Sequence, residues 1–226
     1  MKRILLLIVG AALLFAVSSA FGSNTSITFV DSLSTYGDNY GNDRTGLYGA
    51  VINGQNTQMI CDDYYHNISN NQQWSANGIN AANLDSSNIN STQFGSTIGL
   101  VGYTELAWLA NQMFVLKPSS DPTYTADLSL ISQAMWYISS KGTAGTDNKW
   151  TNQAFAFYTG LNGANGLLQF ANLWLYTPDD RSPSGPQEMW GVPEGGEPLV
   201  YLLLAGISCF GAMFYVRRQR AAAGMA

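Results

Sequence analysis

Cysteine, histidine and basic residues are all scarce in this chain of 226 residues, and each shortage removes a class of function. The two cysteines are Cys61 and Cys209, and the single histidine is His66. Cys209 lies in an apolar run near the C-terminus, so the stretch between the two ends has one cysteine and no disulfide of its own. One Cys and one His do not make a zinc site, and no other metal-binding cluster is present. Five of the ten Lys and Arg residues sit at the extreme ends. Between them only Arg44, Lys117, Lys141, Lys149 and Arg181 face thirteen Asp and Glu up to Glu188, a net of −8. Such a surface repels phosphate backbones, which excludes nucleic acid as a partner. The chain also lacks a fixed-period repeat, a serine elbow and a phosphate loop. Asp62 and Asp63 are adjacent on an expected strand and point to opposite faces, which does not suit the paired carboxylates of a glycosidase. No catalytic residue and no cofactor is assigned, and the chain is not read as an enzyme.

The two ends are informative. Lys2 and Arg3 precede an uncharged, largely apolar stretch from Ile4 to Val17, and Ser18, Ser19 and Ala20 follow. A charged start, a short apolar core and a small-residue exit predict a secretory signal peptide over residues 1–20. At the other end, Leu199 to Val216 carries no charge and is long enough to predict a transmembrane helix over 199–216. Arg217, Arg218 and Arg220 follow it, which by the positive-inside rule leaves the bulk of the chain outside the cytoplasm.

Ahead of that run stands Gly191-Val192-Pro193-Glu194-Gly195-Gly196-Glu197-Pro198. A Pro-Glu motif, an apolar segment and a terminal Arg cluster, in that order over about 35 residues, resemble the PEP-CTERM sorting signal. The resemblance rests on Pro193, Glu194, Arg217, Arg218 and Arg220 in a Val-Pro-Glu-Gly-Gly variant of the motif. It implies an exosortase-type membrane protease as partner and a final destination at the cell surface or outside the cell.

Between the ends, residues 21–177 have the size of one domain. Ser26–Val30 reads as a strand, Tyr36–Gly46 as a turn-rich solvated loop, and Leu47–Ile52 with Thr57–Cys61 as a hairpin about Asn53-Gly54. Gln73–Leu84 reads as another strand. The apolar period then changes to that of helices over Tyr103–Phe114, Ala126–Ser140 and Thr151–Tyr158, and strand character returns at Phe170–Tyr176. The expected fold is α+β, with β-strands flanking a block of about three helices. A Pro/Ser/Gly linker over 178–190 then leads into the sorting tail of residues 191–226.

Cys61 ends an apolar strand in Met59-Ile60-Cys61-Asp62-Asp63-Tyr64, and the second expected helix carries Ser132-Gln133-Ala134-Met135-Trp136. Together these segments resemble the thioester domains of bacterial surface adhesins, in which a cysteine thiolate condenses with a glutamine side chain. The residues so implied are Cys61 and Gln133. Ser132, the Ala directly after Gln133, and Asp62 depart from the family's pattern. The residues themselves leave two further readings open: a buried, inert Cys61, or its use in an intermolecular disulfide or metal contact.

The sequence thus describes an exported cell-surface or matrix protein. The thioester resemblance implies a covalent adhesin acting on an amine-bearing surface target. The alternative is a non-covalent carbohydrate-binding or structural component of an exopolysaccharide matrix, for which six Trp and twelve Tyr supply stacking faces.

Overall fold

Alternation of small polar and large apolar side chains in Asn24–Phe29 (β1) buries Thr25, Ile27 and Phe29 and leaves Asn24 and Ser26 exposed. The same two-residue period shapes the rest of a sheet described here in a computed structural model covering residues 24–116, 123–161 and 165–192. Its other strands are Thr35–Tyr36 (β2), Gly46–Ile52 (β3), Gln55–Cys61 (β4), Gln73–Asn80 (β5), Trp174–Pro178 (β6) and Met189–Gly191 (β7). Every pairing is antiparallel. The order β1-β5-β6-β7-β4-β3 is closed by a further β1–β3 pairing, with Ile27 opposite Ile52. The result is a six-stranded barrel with β2 attached to the flank of β3. Closure removes the unpaired edges that an open sheet exposes.

Two cores follow from the pleat. Side chains of one parity fill the barrel: Ile27 and Phe29, Tyr48, Ala50 and Ile52, Met59 and Cys61, Ala76, Tyr176 and Met189. Those of the other parity, among them Leu47, Ile60, Leu175 and Trp190, pack outward against a helical layer. That layer consists of Gly95–Val115 (α1), Tyr124–Ser139 (α2) and Lys149–Gly160 (α3). Leu106, Leu109 and Met113 of α1 and Leu128, Ile131 and Met135 of α2 have no exposed surface. Each such side chain contributes ~1.5–3 kcal/mol of hydrophobic free energy. Helix α1 is interrupted at Gly99 (φ 60°, ψ −166°), a conformation that strongly favours glycine. Helix α3 begins with a capping box in which the Asn148 side chain and Thr151 satisfy each other's backbone donors.

The hairpin expected at Asn53-Gly54 is present as β3 and β4, with positive φ at both turn residues (49° and 84°), as a type I′ turn requires. The α+β expectation of strands flanking a helical block is overturned by the closed barrel. The late strands β6 and β7 insert between β5 and β4 rather than forming a separate layer. The stretch 178–190, expected as a linker, carries Gln187, Glu188 and Met189 into buried positions and ends in β7. Its Pro, Ser and Gly residues form the β6–β7 connection. Among the described residues no helix is long and apolar enough to cross a membrane. The signal peptide at 1–20, the helix expected at 199–216 and the tail from residue 193 lie outside the described residues.

Between the barrel wall and α1 lie two fully buried carboxyl groups. Glu188 accepts from the Tyr103 hydroxyl (2.5 Å), the Gln93 backbone N–H (2.8 Å) and the Thr177 hydroxyl. Asp62 accepts from the Trp190 indole N–H at 2.7 Å, while its Oδ1 has no hydrogen-bond partner among the described residues. Burial pushes Glu188 up to about 7. Burial first, and then the charges of Glu188 and Asp63, push Asp62 well above the usual carboxylate range. In the unfolded chain both ionise near their ordinary values, so the folded state holds more protons across the interval between. Stability is therefore fully present below the ordinary carboxylate range and falls as pH rises toward 7. Thermal melts are expected to show a higher Tm at pH 5 than at pH 8, reflecting a stability difference on the order of a few kcal/mol. The isosteric Glu188→Gln variant should flatten that dependence; an unchanged slope would place the titration elsewhere.

Candidate ligand cleft at the barrel mouth

At one end of the barrel the interior opens into a cleft of about 320 Å³. Phe29 and Tyr48 form its floor from inside the barrel. Asp31 and Tyr36 come from the β1–β2 segment, and Asn42, Asp43 and Arg44 from the loop before β3. The β4–β5 connection supplies Asp63, Tyr64, Asn67, Ile68 and Asn70, helix α2 supplies Trp136, and the approach to β7 supplies Gln187. Barrel mouths are recurrent ligand sites because closure leaves a preformed concavity ringed by loops.

The walls are held by specific bonds. Arg44 Nη1 lies 2.6 Å from Asp31 Oδ1, and its guanidinium sits 4.8 Å over the Tyr36 ring. The Tyr36 hydroxyl donates to the same carboxylate, and that of Tyr48 donates to the Arg44 carbonyl. Tyr64 packs against Trp136 at 5.4 Å between ring centroids, with Tyr40 at 6.2 Å from Tyr64 and 6.0 Å from Trp136. The Asp43 charge is the first cause raising the Tyr64 hydroxyl above its ordinary pKa, so that carboxylate lies close to the aromatic wall. Helix α2 is fixed to the strands through Gly46, whose N–H donates to Ser132 Oγ at 2.9 Å. Gly46 has a φ of 106°, and a Cβ there would stand 2.6 Å from the Thr35 carbonyl.

The β4–β5 connection is braced from below. Asp63 Oδ1 accepts from the backbone N–H groups of Tyr65 (3.0 Å) and His66 (3.3 Å), and Oδ2 lies 2.6 Å from His66 Nδ1. His66 Nε2 is 3.0 Å from the Ser182 carbonyl, and Gln187 Nε2 donates to the carbonyls of Asp63 (3.0 Å) and His66. The imidazole thus ties the β4–β5 and β6–β7 connections together. Its second nitrogen meets a carbonyl rather than a hydroxyl or thiol, which is not the arrangement that activates a nucleophile.

Cys61 and Gln133 occupy different settings. Cys61 lies inside the barrel, 1% exposed. Its Sγ donates to the Asp63 carbonyl (3.0 Å) and accepts from the Asp63 N–H (3.2 Å). The Trp136 side chain is a further neighbour of the thiol, and its indole N–H has no hydrogen-bond partner among the described residues. Burial, then the charges of Asp63 and Asp62, push the thiol well above its ordinary pKa. On α2 it is Ser132 that faces the strands. Gln133, about 100° further round the helix, donates from Nε2 to Ser129 Oγ at 3.0 Å. No hydrogen bond joins the Cys61 and Gln133 side chains. Pro193, Glu194, Arg217, Arg218 and Arg220 lie outside the described residues. Gln187, Asp31, Asp43 and Arg44, which line the cleft, carry no motif; only Asp43 and Arg44 fall in the polar Tyr36–Gly46 loop.

No family model matches the chain. No curated protein matches it either. Among solved structures, the N-terminal domain of the Streptococcus pyogenes pilus tip adhesin Cpa is similar at a TM-score of 0.38 and 10% identity, over 78% of this chain and 96% of that domain. At that level the likeness carries no statement about binding or chemistry here.

The geometry predicts an unreactive thiol. Native protein should resist alkylation at Cys61, and unfolding should expose it. Intact-mass measurement should give the full sequence mass for the processed chain. A mass one ammonia lighter, restored by Cys61→Ala, would instead establish the thioester.

Proposed function

We propose that this chain is an exported, non-enzymatic binding protein of the cell surface or extracellular matrix, and that it holds carbohydrate in the cleft at the barrel mouth. The observation that carries this reading is the cleft itself, with the half-buried Tyr64 ring, backed by the buried Tyr48 and Trp136, set among the amides of Asn42, Asn67 and Asn70. Aromatic faces stack on the apolar faces of sugar rings, and side-chain amides pair with hydroxyls. A rigid barrel wall beneath them limits the ordering cost of binding. Export and exosortase-type processing rest on the sequence of the two ends. Covalent attachment through Cys61 and Gln133 would require the Gln133 carboxamide to leave Ser129 and reach the barrel interior, so the non-covalent mode is preferred.

Titration calorimetry of the purified protein against oligosaccharides from a matrix exopolysaccharide should show saturable binding. Tyr64→Ala should weaken it about tenfold, equivalent to ~1.4 kcal/mol, with the fold intact by circular dichroism. Binding unaffected by Tyr64→Ala would move the ligand to another surface.

A further inference from the structure

The balance of donors and acceptors in the cleft identifies a narrower ligand class. Three carboxylates line it, Asp31, Asp43 and Asp63, against one cation among the described lining residues, Arg44. Arg44 is already engaged by Asp31 and stacked on Tyr36. Asp63 is tied to His66. Asp43 has the Tyr64 hydroxyl as a neighbour, and no salt bridge pairs the Asp43 carboxylate among the described residues.

A second observation is independent of these charges. Gln187 lines the cleft, is only 7% exposed, and its Oε1 has no hydrogen-bond partner among the described residues. The amide cannot be turned round to relieve this, because Nε2 is committed to the Asp63 and His66 carbonyls. A buried acceptor left unpaired costs about 1–3 kcal/mol. The site therefore sets the Gln187 acceptor, a carboxylate without an ion pair among the described residues and the electron-rich ring of the half-buried Tyr64 beside one buried, unpaired donor, the Trp136 indole N–H.

The geometry points to the protonated amine of an amino sugar as the group this cleft receives, within a polysaccharide that carries free amines. This deepens the carbohydrate reading above and rests on it. An acidic polysaccharide would meet like charge, both in the cleft and across a chain whose middle carries a net of −8. A neutral sugar would satisfy the amides and Gln187 Oε1 but leave Asp43 uncompensated. An ammonium meets each requirement: it donates three hydrogens, forms charge-assisted bonds to carboxylates, and is attracted to aromatic faces. A plain alkyl polyamine supplies the charge without the hydroxylated ring that Asn42, Asn67 and Asn70 are placed to meet.

The test compares four probes on the full purified protein by calorimetry and by chemical-shift mapping. They are a β-1,4-linked glucosamine oligomer, its fully N-acetylated counterpart, a neutral glucose oligomer, and spermidine. The expected result is binding of the glucosamine oligomer with shifts at Tyr64 and Trp136, at least tenfold tighter than either uncharged oligomer and weakened by added salt. Asp43→Asn should weaken the glucosamine oligomer about tenfold and leave the neutral oligomer nearly unchanged. Equal affinity for charged and uncharged oligomers would overturn the amine assignment while leaving the carbohydrate cleft standing. Spermidine binding as tightly as the oligomer would overturn the sugar as the amine's carrier. Absence of shifts at the mouth with every probe would overturn both this inference and the cleft as the ligand seat.

Discussion

The three-residue strand β7 is the constraint on which the rest of the structure depends. It pairs on one side with β4, Cys61 opposite Met189, and on the other with β6, Tyr176 opposite Met189. Without it the ring opens between those two strands. Its side chains, with the two residues before it, work in three directions. Met189 faces the barrel interior, and Trp190 packs outward with no exposed surface. Glu188 is held beneath α1, while Gln187 reaches the mouth. One short segment thus closes the wall, seats the helical layer and finishes the cleft.

That arrangement explains why polar groups are buried on both sides of the wall without a loss of order. On the helical side, Glu188 and Asp62 are bonded by Tyr103, Thr177, Gln93 and Trp190, and remain protonated to higher pH than free carboxylates. On the mouth side, Asp63 accepts from backbone N–H groups through Oδ1, and its Oδ2 lies 2.6 Å from His66 Nδ1. Adjacent positions, Asp62 and Asp63, therefore serve different ends because the pleat sends them to opposite faces. The mouth-side bonds leave the β4–β5 connection little freedom, so Tyr64 is presented in a fixed place. A preformed seat suits an extended, hydroxylated ligand whose own ordering already costs free energy.

Much of the local structure was legible in the sequence. The Asn53-Gly54 hairpin and the three amphipathic helices follow from turn chemistry and apolar period, and each is present. The architecture was not legible, because the residues that close the barrel are poor in signal. β7 is three residues long, too short for a periodic pattern, and it follows Pro, Ser and Gly residues that read as a linker. The site was legible only in part. Trp136 and Tyr64 belong to the segments that drew attention to Cys61 and Gln133, whose side chains hydrogen-bond to Asp63 and Ser129 respectively. Ser132 takes the position facing the strands, a consequence of helical phase that a short motif does not reveal. Asp43, Arg44 and Gln187 are brought together from distant parts of the chain, and no local pattern announces that.

The most direct test of this account is hydrogen–deuterium exchange of the native protein, followed at peptides spanning 187–191. If β7 closes the barrel, those amides will exchange as slowly as the amides of β4, and Trp190→Gly will release both together. Exchange of 187–191 on the timescale of an unstructured linker, with β4 still protected, would contradict the closed barrel and the preformed mouth that depends on it.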